Sequence, residues 1–355
     1  MMANRTVFSV GDIHPVTFSL GGFSALFDMT AKRLHALDFS NRLWSKDPSI
    51  WSKGYSAQAL ISNSLGWLDI AVQMHEKTGE IVSFAETIKK EFEYIVLLGM
   101  GGSSLAPEVM RSIFGRQPGW PKLVILDTTD PCAIKKTQDS IEMDKTLFIV
   151  SSKSGTTIEV MSLFEFFHDA LSRARPNPAG SNFIAITDPD TPLEAIAKGK
   201  GFRQVFINPP DIGGRFSALS YFGLIPAAVM GLDINRLLGY ALSMAHETRA
   251  DVHPKDDPAQ SLGVVIAALA GKGMDKLTFL FSEELEAFGL WLEQLIAESL
   301  GKDSKGVIPV AGEVPGEILA GFEDRVFVHI GRGLVDEDFA DLVYILERTA
   351  RPIIS

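Results

Sequence analysis

Five short apolar runs, "YIVLLG" (94–99), "KLVILD" (122–127), "TLFIVS" (146–151), "NFIAIT" (182–187) and "RQVFIN" (203–208), recur with helical segments between them. Strands that are apolar at successive positions, rather than at every second one, are covered on both faces, so the pattern predicts a parallel sheet sandwiched by helices. Ahead of the sheet, residues 24–45 and 56–78 show helical spacing, with Leu60, Leu65, Leu68, Val72 and Met74 broadly on one side, and read as lead-in helices. "ALSYFGLIPAAVMGL" (218–232) is apolar on nearly every side, the mark of a buried helix. The polar stretch "HETRADVHPKDDPAQ" (246–260) then suggests a boundary. Beyond it come "KLTFLF" (276–281), a helix to about Leu300, "GVIPV" (306–310), "RVFVHI" (325–330) and a helix at 336–349, a second and shorter α/β unit. "RPIIS" has the look of a further strand beginning, so the second unit is expected to be incomplete. The expected division is a helical lead-in over 1–55, a first α/β domain over 56–250 and a second over 251–355.

A chain of 355 residues suits two such domains, since single cores usually stop growing near 250 to 300 residues. Its net charge of −11 argues against nucleic acid or an anionic membrane as a partner, because both reward clustered Lys and Arg, but leaves room for a small anion held locally. Cys132 is the single cysteine, so there is neither a disulfide framework nor a cysteine zinc cluster, which fits a reducing compartment. "MMANRTVFSV" is too polar for a signal peptide and "FGLIPAAVMGL" (222–232) is too short to span a membrane; the expectation is a cytoplasmic protein. His14, His35, His75, His168, His246, His253 and His329 show no metal-ligand spacing, and no metal is expected.

In open parallel sheets ligands bind beyond the carboxyl ends of the strands, where helix N-termini also point. "VSSKSGTTIEV" (150–160) occupies such a place. Thr156 and Glu159 fit a capping box, which accounts for two of its polar residues. Ser152, Lys153, Ser154 and Thr157 crowd the same first turn beside Gly155, and a phosphate dianion can use hydroxyls, backbone N–H groups and the positive helix end together. Each hydrogen bond to such a charged group is worth about 1.5 to 3 kcal/mol. "LLGMGGSSLAPEV" (97–109) repeats the design one strand earlier with Gly101, Gly102, Ser103 and Ser104. It also supports a rival reading, because "GMGGSS" resembles a dinucleotide loop and Asp127 ends the next strand, where the ribose-binding acid of an NAD site would lie. Ser104 occupies the third glycine position of that fingerprint, and two hydroxyl-rich turns favour a phosphosugar.

"NPPDIGGRFSALS" (208–220) sets Arg215 ahead of the buried helix, at a cost of about 0.3 to 1 kcal/mol from the helix dipole that an intervening anion would offset. An ion pair with Asp211 explains the position equally well. In "EELEAFGLWLEQLIAESLGK" (283–302), Leu285, Phe288, Leu292, Leu295, Ile296 and Ser299 form a buried face, while Ala287, Trp291, Gln294 and Glu298 form a stripe beside it. In the last turn, partial desolvation and the negative helix end would raise the pKa of Glu298 and poise it as a general base.

"GMGGSS", "SSKSGTT", "GGRFS" and "EQLIAESLGK", in this order, resemble the phosphoglucose isomerase family with its sugar isomerase (SIS) domains. The likeness spans roughly 50–350, and "VLLGMGGSSLAPEV", "FIAITDP", "NPPDIGGR" and "KLTFLFS" look most like the isomerase portion of bacterial transaldolase/phosphoglucose isomerase fusions. It implies two SIS-type parallel-sheet α-β-α sandwich domains and interconversion of glucose 6-phosphate and fructose 6-phosphate without a cofactor. Gly102, Ser103 and Ser152 to Thr157 would then hold the 6-phosphate and nearby sugar oxygens. Arg215 would stabilise the enediolate, Gln294 would contact the substrate and Glu298 would shuttle a proton between C1 and C2. Family members are generally dimeric. Two departures stand out. The family usually carries a ring-opening His about 20 residues after the catalytic Glu, where "GEVPGEILAGFED" (312–324) has none, and a late Lys near an "NPFDQP"-like segment that has no match here. The expectation divides between a fragment of an isomerase and a phosphosugar-binding protein without the isomerase reaction.

Overall fold

A computed structural model of the chain describes residues 5–10, 13–174, 178–302, 305–314, 321–331, 337–349 and 351–355. In chain order its strands are β1 (Arg5–Val10), β2 (Ile13–Ser19), β3 (Tyr94–Gly99), β4 (Lys122–Leu126), β5 (Thr146–Ser151), β6 (Phe183–Thr187), β7 (Gln204–Ile207), β8 (Lys276–Phe281), β9 (Ile308–Val310), β10 (Arg325–Ile330) and β11 (Ile353–Ile354). The chain divides into two compact units, one of Ala59–Ala241 and one that combines Met1–Gln58 with Leu242–Ser355.

In the unit Ala59–Ala241 the five expected strands form one sheet in the order β4-β3-β5-β6-β7, every pair parallel. Val96 and Leu98 of β3 and Phe148 and Val150 of β5 point into a cluster with Val160, Phe164 and Phe167 of the helix Ile158–Ala174. Phe148 is fully buried there, stacked on Phe183 with ring centroids 4.9 Å apart. Ile95, Leu97, Leu147 and Ile149, which alternate with these, are equally buried, so both sheet faces are covered and the unbroken apolar runs are explained. The helix Tyr221–Val229 is buried from Phe222 onward, and the Ser220 hydroxyl caps it by accepting the Phe222 N–H at 3.3 Å.

The second unit departs from the expected pattern in its N-terminal part. The helices Ser24–Ala36 and Phe39–Trp44 are present, but the segment read as a helical lead-in begins with an antiparallel β1/β2 hairpin. Its sheet runs β1-β2-β11-β10-β8-β9, so the parallel strands β9, β8, β10 and β11 are extended by an antiparallel pair and the sheet is mixed rather than purely parallel. The signal was period-two alternation at Val16, Phe18 and Leu20; Phe18 and Leu20 are buried in a cluster with Val264, Leu277, Phe279 and Val326. β11, within "RPIIS", pairs with both β10 and β2, and Thr17 and Ser355 exchange backbone hydrogen bonds of 2.6 and 2.9 Å.

The polar stretch 246–260 ends in the capped helix Pro258–Ala270. Asp257, 1% exposed, accepts the Gln260 N–H at 2.8 Å and the Gln260 side-chain amide at 2.6 Å, and that amide also donates to Ser40 Oγ at 2.8 Å. Burial pushes the Asp257 carboxyl above its ordinary range, opposed by the Gln260 donors. Asp257→Ala is expected to destabilise the protein by about 1 to 2 kcal/mol, measured as a lowered midpoint of denaturant unfolding. With a raised native pKa the folded state holds the proton more tightly. The contribution of Asp257 is therefore fully present below the ordinary carboxylate range and declines as pH rises through the raised value, and Asp257→Asn should flatten that part of the stability profile.

Candidate active site

The order β4-β3-β5 means that the chain leaves β3 to one side for β4 and returns to its other side for β5. Such a switch point opens a crevice beyond the carboxyl ends of the two central strands. The turn Met100–Ser104 follows β3 and the turn Ser152–Thr157 follows β5, so both hydroxyl-rich turns flank it. Ser151 Oγ donates to Ser103 O at 3.1 Å and joins them.

Arg215 lies in the third turn, the 3-10 segment Gly214–Leu219. The buried Ser217 hydroxyl lies 3.2 Å from Gly102 O and 2.6 Å from Gly214 O. A Cβ added to Gly102 would sit 2.3 Å from Gly214 O, so glycine is required where the two backbones pass. The Arg215 guanidinium is 5.9 Å from the centroid of the Phe216 ring, which itself stacks on Trp67. Asp211, the alternative partner considered for Arg215, has its carbonyl on Gly66 N at 3.1 Å and its carboxylate packed over Gly66. Gly102→Ala must push two main chains apart and is expected to cost about 1 to 3 kcal/mol of stability, read from thermal unfolding.

Within the turn after β5, the residues grouped in the sequence reading separate into two kinds. Ser152 is 1% exposed, and its hydroxyl braces the turn by pairing with Thr157 Oγ1 at 3.0 Å and accepting the Gly155 N–H at 3.2 Å. Gly155 has φ +66°, and a Cβ there would meet Thr191 Cβ at 2.8 Å. Ser154 and Thr156 are exposed, with Thr156 Oγ1 donating to Ser154 Oγ at 2.9 Å; Thr157, Ser103 and Gly102 are half-buried. The helix begins at Ile158, so its N-cap is Thr157, one position after the expected Thr156, whose hydroxyl serves the turn instead.

Lys153, expected to face a phosphate, has protein partners in the structure. Its ammonium pairs with the Asp188 carboxylate and donates to Pro210 O at 3.1 Å. Asp188 received no role in the sequence reading, although its position offered a signal: it is the first residue past β6, at the carboxyl edge of the sheet. Burial pushes its carboxyl above the ordinary range, opposed by Lys153 and the Asn208 side chain. Asp127 lies exposed beyond β4.

Gln294 and Glu298 belong to the other unit, on the helix Phe288–Ser299. Leu285, Phe288, Leu292 and Ile296 pack against its core as expected, and Trp291 stacks on Phe288 with centroids 5.5 Å apart. The flanking stripe is real: Gln294 Nε2 donates to Glu298 Oε1 at 2.9 Å, and Gln294 Oε1 is buried without a hydrogen-bond partner. Glu298 is exposed in the last turn, not partly desolvated, because the stripe sits outside the buried face. In "GEVPGEILAGFED", residues 315–320 lie outside the described residues. No group of His, Cys, Asp or Glu that could hold a metal occurs among the described residues, and none of the described helices is long and apolar enough to cross a membrane.

The family model for phosphoglucose isomerase matches residues 67–321. A glucose-6-phosphate isomerase of Carboxydothermus hydrogenoformans is 30% identical over 268 residues, which cover 72% of this chain and 57% of that protein. One from Staphylococcus saprophyticus is 32% identical over 259 residues, covering 70% and 58%. The chain thus spans little more than half the length of these curated relatives. A hypothetical protein from Thermus thermophilus shares the fold with a TM-score of 0.76 at 24% identity, over 94% of this chain and 86% of that one. A glucose-6-phosphate isomerase from Chlamydia trachomatis does so with a TM-score of 0.68 at 20% identity, over 96% and 75%.

Proposed function

The chain belongs to the phosphoglucose isomerase family, and from that membership we propose that it interconverts glucose 6-phosphate and fructose 6-phosphate through a cis-enediolate. The observation that carries this reading is the meeting of three turns at one switch point: the Gly102–Ser103 turn, the Ser152–Thr157 turn and the turn bearing Arg215. Exposed hydroxyls of Ser154 and Thr156, the Thr157 and Ser103 side chains, and the main chain at Gly102 supply uncharged donors for a phosphate, with the helix starting at Ile158 behind them.

In the proposed reaction the Glu298 carboxylate takes the proton from C2 of the open-chain aldose, and the C–H electrons move into the C1–C2 bond as the carbonyl oxygen becomes negative. Arg215 offsets that charge, the hydroxyl proton passes from O2 to O1, and the carboxylic acid returns its proton to C1 as the C2 carbonyl forms. Oxidation at C2 balances reduction at C1, so the step needs no external oxidant. Gln294, with its buried and unpartnered Oε1, has an acceptor to offer a sugar hydroxyl and a donor that already orients Glu298.

On the same reading the protein works in the cytoplasm on a small sugar phosphate. Family habit supports a homodimer, and the quoted phrases support an isomerase portion of the transaldolase-fused kind. The test is proton exchange at C2 of glucose 6-phosphate in heavy water, followed by NMR beside a coupled assay of fructose 6-phosphate. Exchange with turnover is expected; binding without exchange would identify a phosphosugar-binding protein that lacks the isomerase chemistry.

A further inference from the structure

We propose that Lys153 and Asp188 are positioning residues, an internal ion pair that holds the phosphate-binding turn in register with the turn bearing Arg215. The proposal rests on the reading that the 152–157 turn receives a sugar phosphate.

A lysine in a hydroxyl-rich turn at a helix N-terminus invites assignment as a phosphate ligand. Here the side chain runs across the carboxyl edge of the sheet. It starts on the turn after β5, meets Asp188 on the turn after β6, and reaches Pro210 O on the connection after β7, five residues before Arg215. The backbone reinforces the bridge: Asp188 N donates to Lys153 O at 3.2 Å, Ser152 N to Ile186 O at 3.0 Å, and Asn208 N to Thr187 O at 2.8 Å. Three consecutive turns are thereby tied at one ammonium group.

Satisfaction of the buried acceptors explains why the ammonium stays. Asp188 Oδ1 and Asn208 Oδ1 are both buried without a donor, and Asn208 is 1% exposed. Asp188 already holds one unmet oxygen; withdrawing Lys153 towards a ligand would leave its other oxygen short of a donor as well. A buried acceptor that loses its partner costs more than the bond itself contributed. The hydroxyls of Ser154 and Thr156 carry no such obligation and are exposed. Binding to the phosphate therefore falls to hydroxyls and backbone N–H groups, and the charge of Lys153 is spent on geometry.

A double-mutant cycle on the full chain separates the two roles, using Lys153→Met, Asp188→Asn and the double variant. Calorimetric titration with inorganic phosphate and with fructose 6-phosphate supplies affinities, turnover supplies kcat, and thermal unfolding accompanies both. Each single variant is expected to weaken phosphate by about tenfold, the equivalent of one charge-assisted hydrogen bond, with the double variant no worse than either. Lys153→Arg, which can grip Asp188 with two N–H groups, should restore most of the affinity, and it carries the test if the methionine variant does not fold. Phosphate affinity that is unchanged or tighter in Asp188→Asn would overturn the proposal, because releasing a ligand lysine from its carboxylate frees it for the anion. Lowered unfolding temperatures with unaltered phosphate affinity and kcat would overturn it too. If the unmutated protein bound neither phosphate nor fructose 6-phosphate, the reading of the turn itself would fall, and the proposal with it.

Discussion

Glu298→Gln is expected to lower fructose 6-phosphate turnover by about 10²- to 10⁴-fold, the usual contribution of a positioned general base, while KM changes little. The amide keeps the size and hydrogen-bonding reach of the side chain, so the contact with Gln294 Nε2 at 2.9 Å can persist through the amide oxygen. What it loses is the capacity to accept a proton from carbon. Because Glu298 is exposed and sits outside the packed face of its helix, the unfolding midpoint should move by no more than about 0.5 kcal/mol, which separates a catalytic loss from a folding defect. Exchange at C2 should fall in step with turnover. Equal turnover in the two proteins would remove Glu298 from the reaction.

Arg215→Gln is expected to reduce kcat by about 10²- to 10³-fold, comparable to deleting one oxyanion-stabilising donor, with a smaller rise in KM. The reasoning is differential: the open-chain sugar presents a neutral carbonyl, whereas the enediolate presents a full negative charge, so a cation stabilises the second far more than the first. The turn that carries Arg215 is anchored independently by Ser217 near Gly102 O and Gly214 O, and should keep its course when the guanidinium is gone. A variant that loses affinity and kcat in equal proportion with lowered thermal stability would instead mark Arg215 as a strut of the turn. Measuring kcat, KM and the unfolding temperature on the same preparation distinguishes these outcomes.

The parallel sheet was legible because covering both faces leaves a strand no room for polar residues, and β3, β5 and β6 are buried along nearly their whole length. The two turns at the switch point were legible for a related reason: hydroxyls and glycines crowd where an apolar strand stops, and nothing in a packed core calls for them. The N-terminal hairpin was hidden because β2 is short and finds its neighbour β11 far away in sequence, a pairing that local periodicity does not report. The ion pair of Lys153 was hidden for a different reason. A lysine facing a phosphate and a lysine bridging to a carboxylate look alike in sequence, and the partner, Asp188, lies 35 positions away. The exposure of Glu298 was also beyond local reach, since a stripe beside a packed helical face has no fixed burial until its surroundings are known.

The interleaving of β2 with β11 has a kinetic consequence. Ala59–Ala241 is one uninterrupted stretch whose sheet closes on neighbours in sequence, so it has what it needs to fold as soon as it leaves the ribosome. The pairing of β2 with β11 must wait, since Thr17 exchanges hydrogen bonds with the sequence-distant Ser355 and that loop closure is long. Until that pairing forms during synthesis, the edge of β2 is an unpaired template open to the edges of other nascent chains.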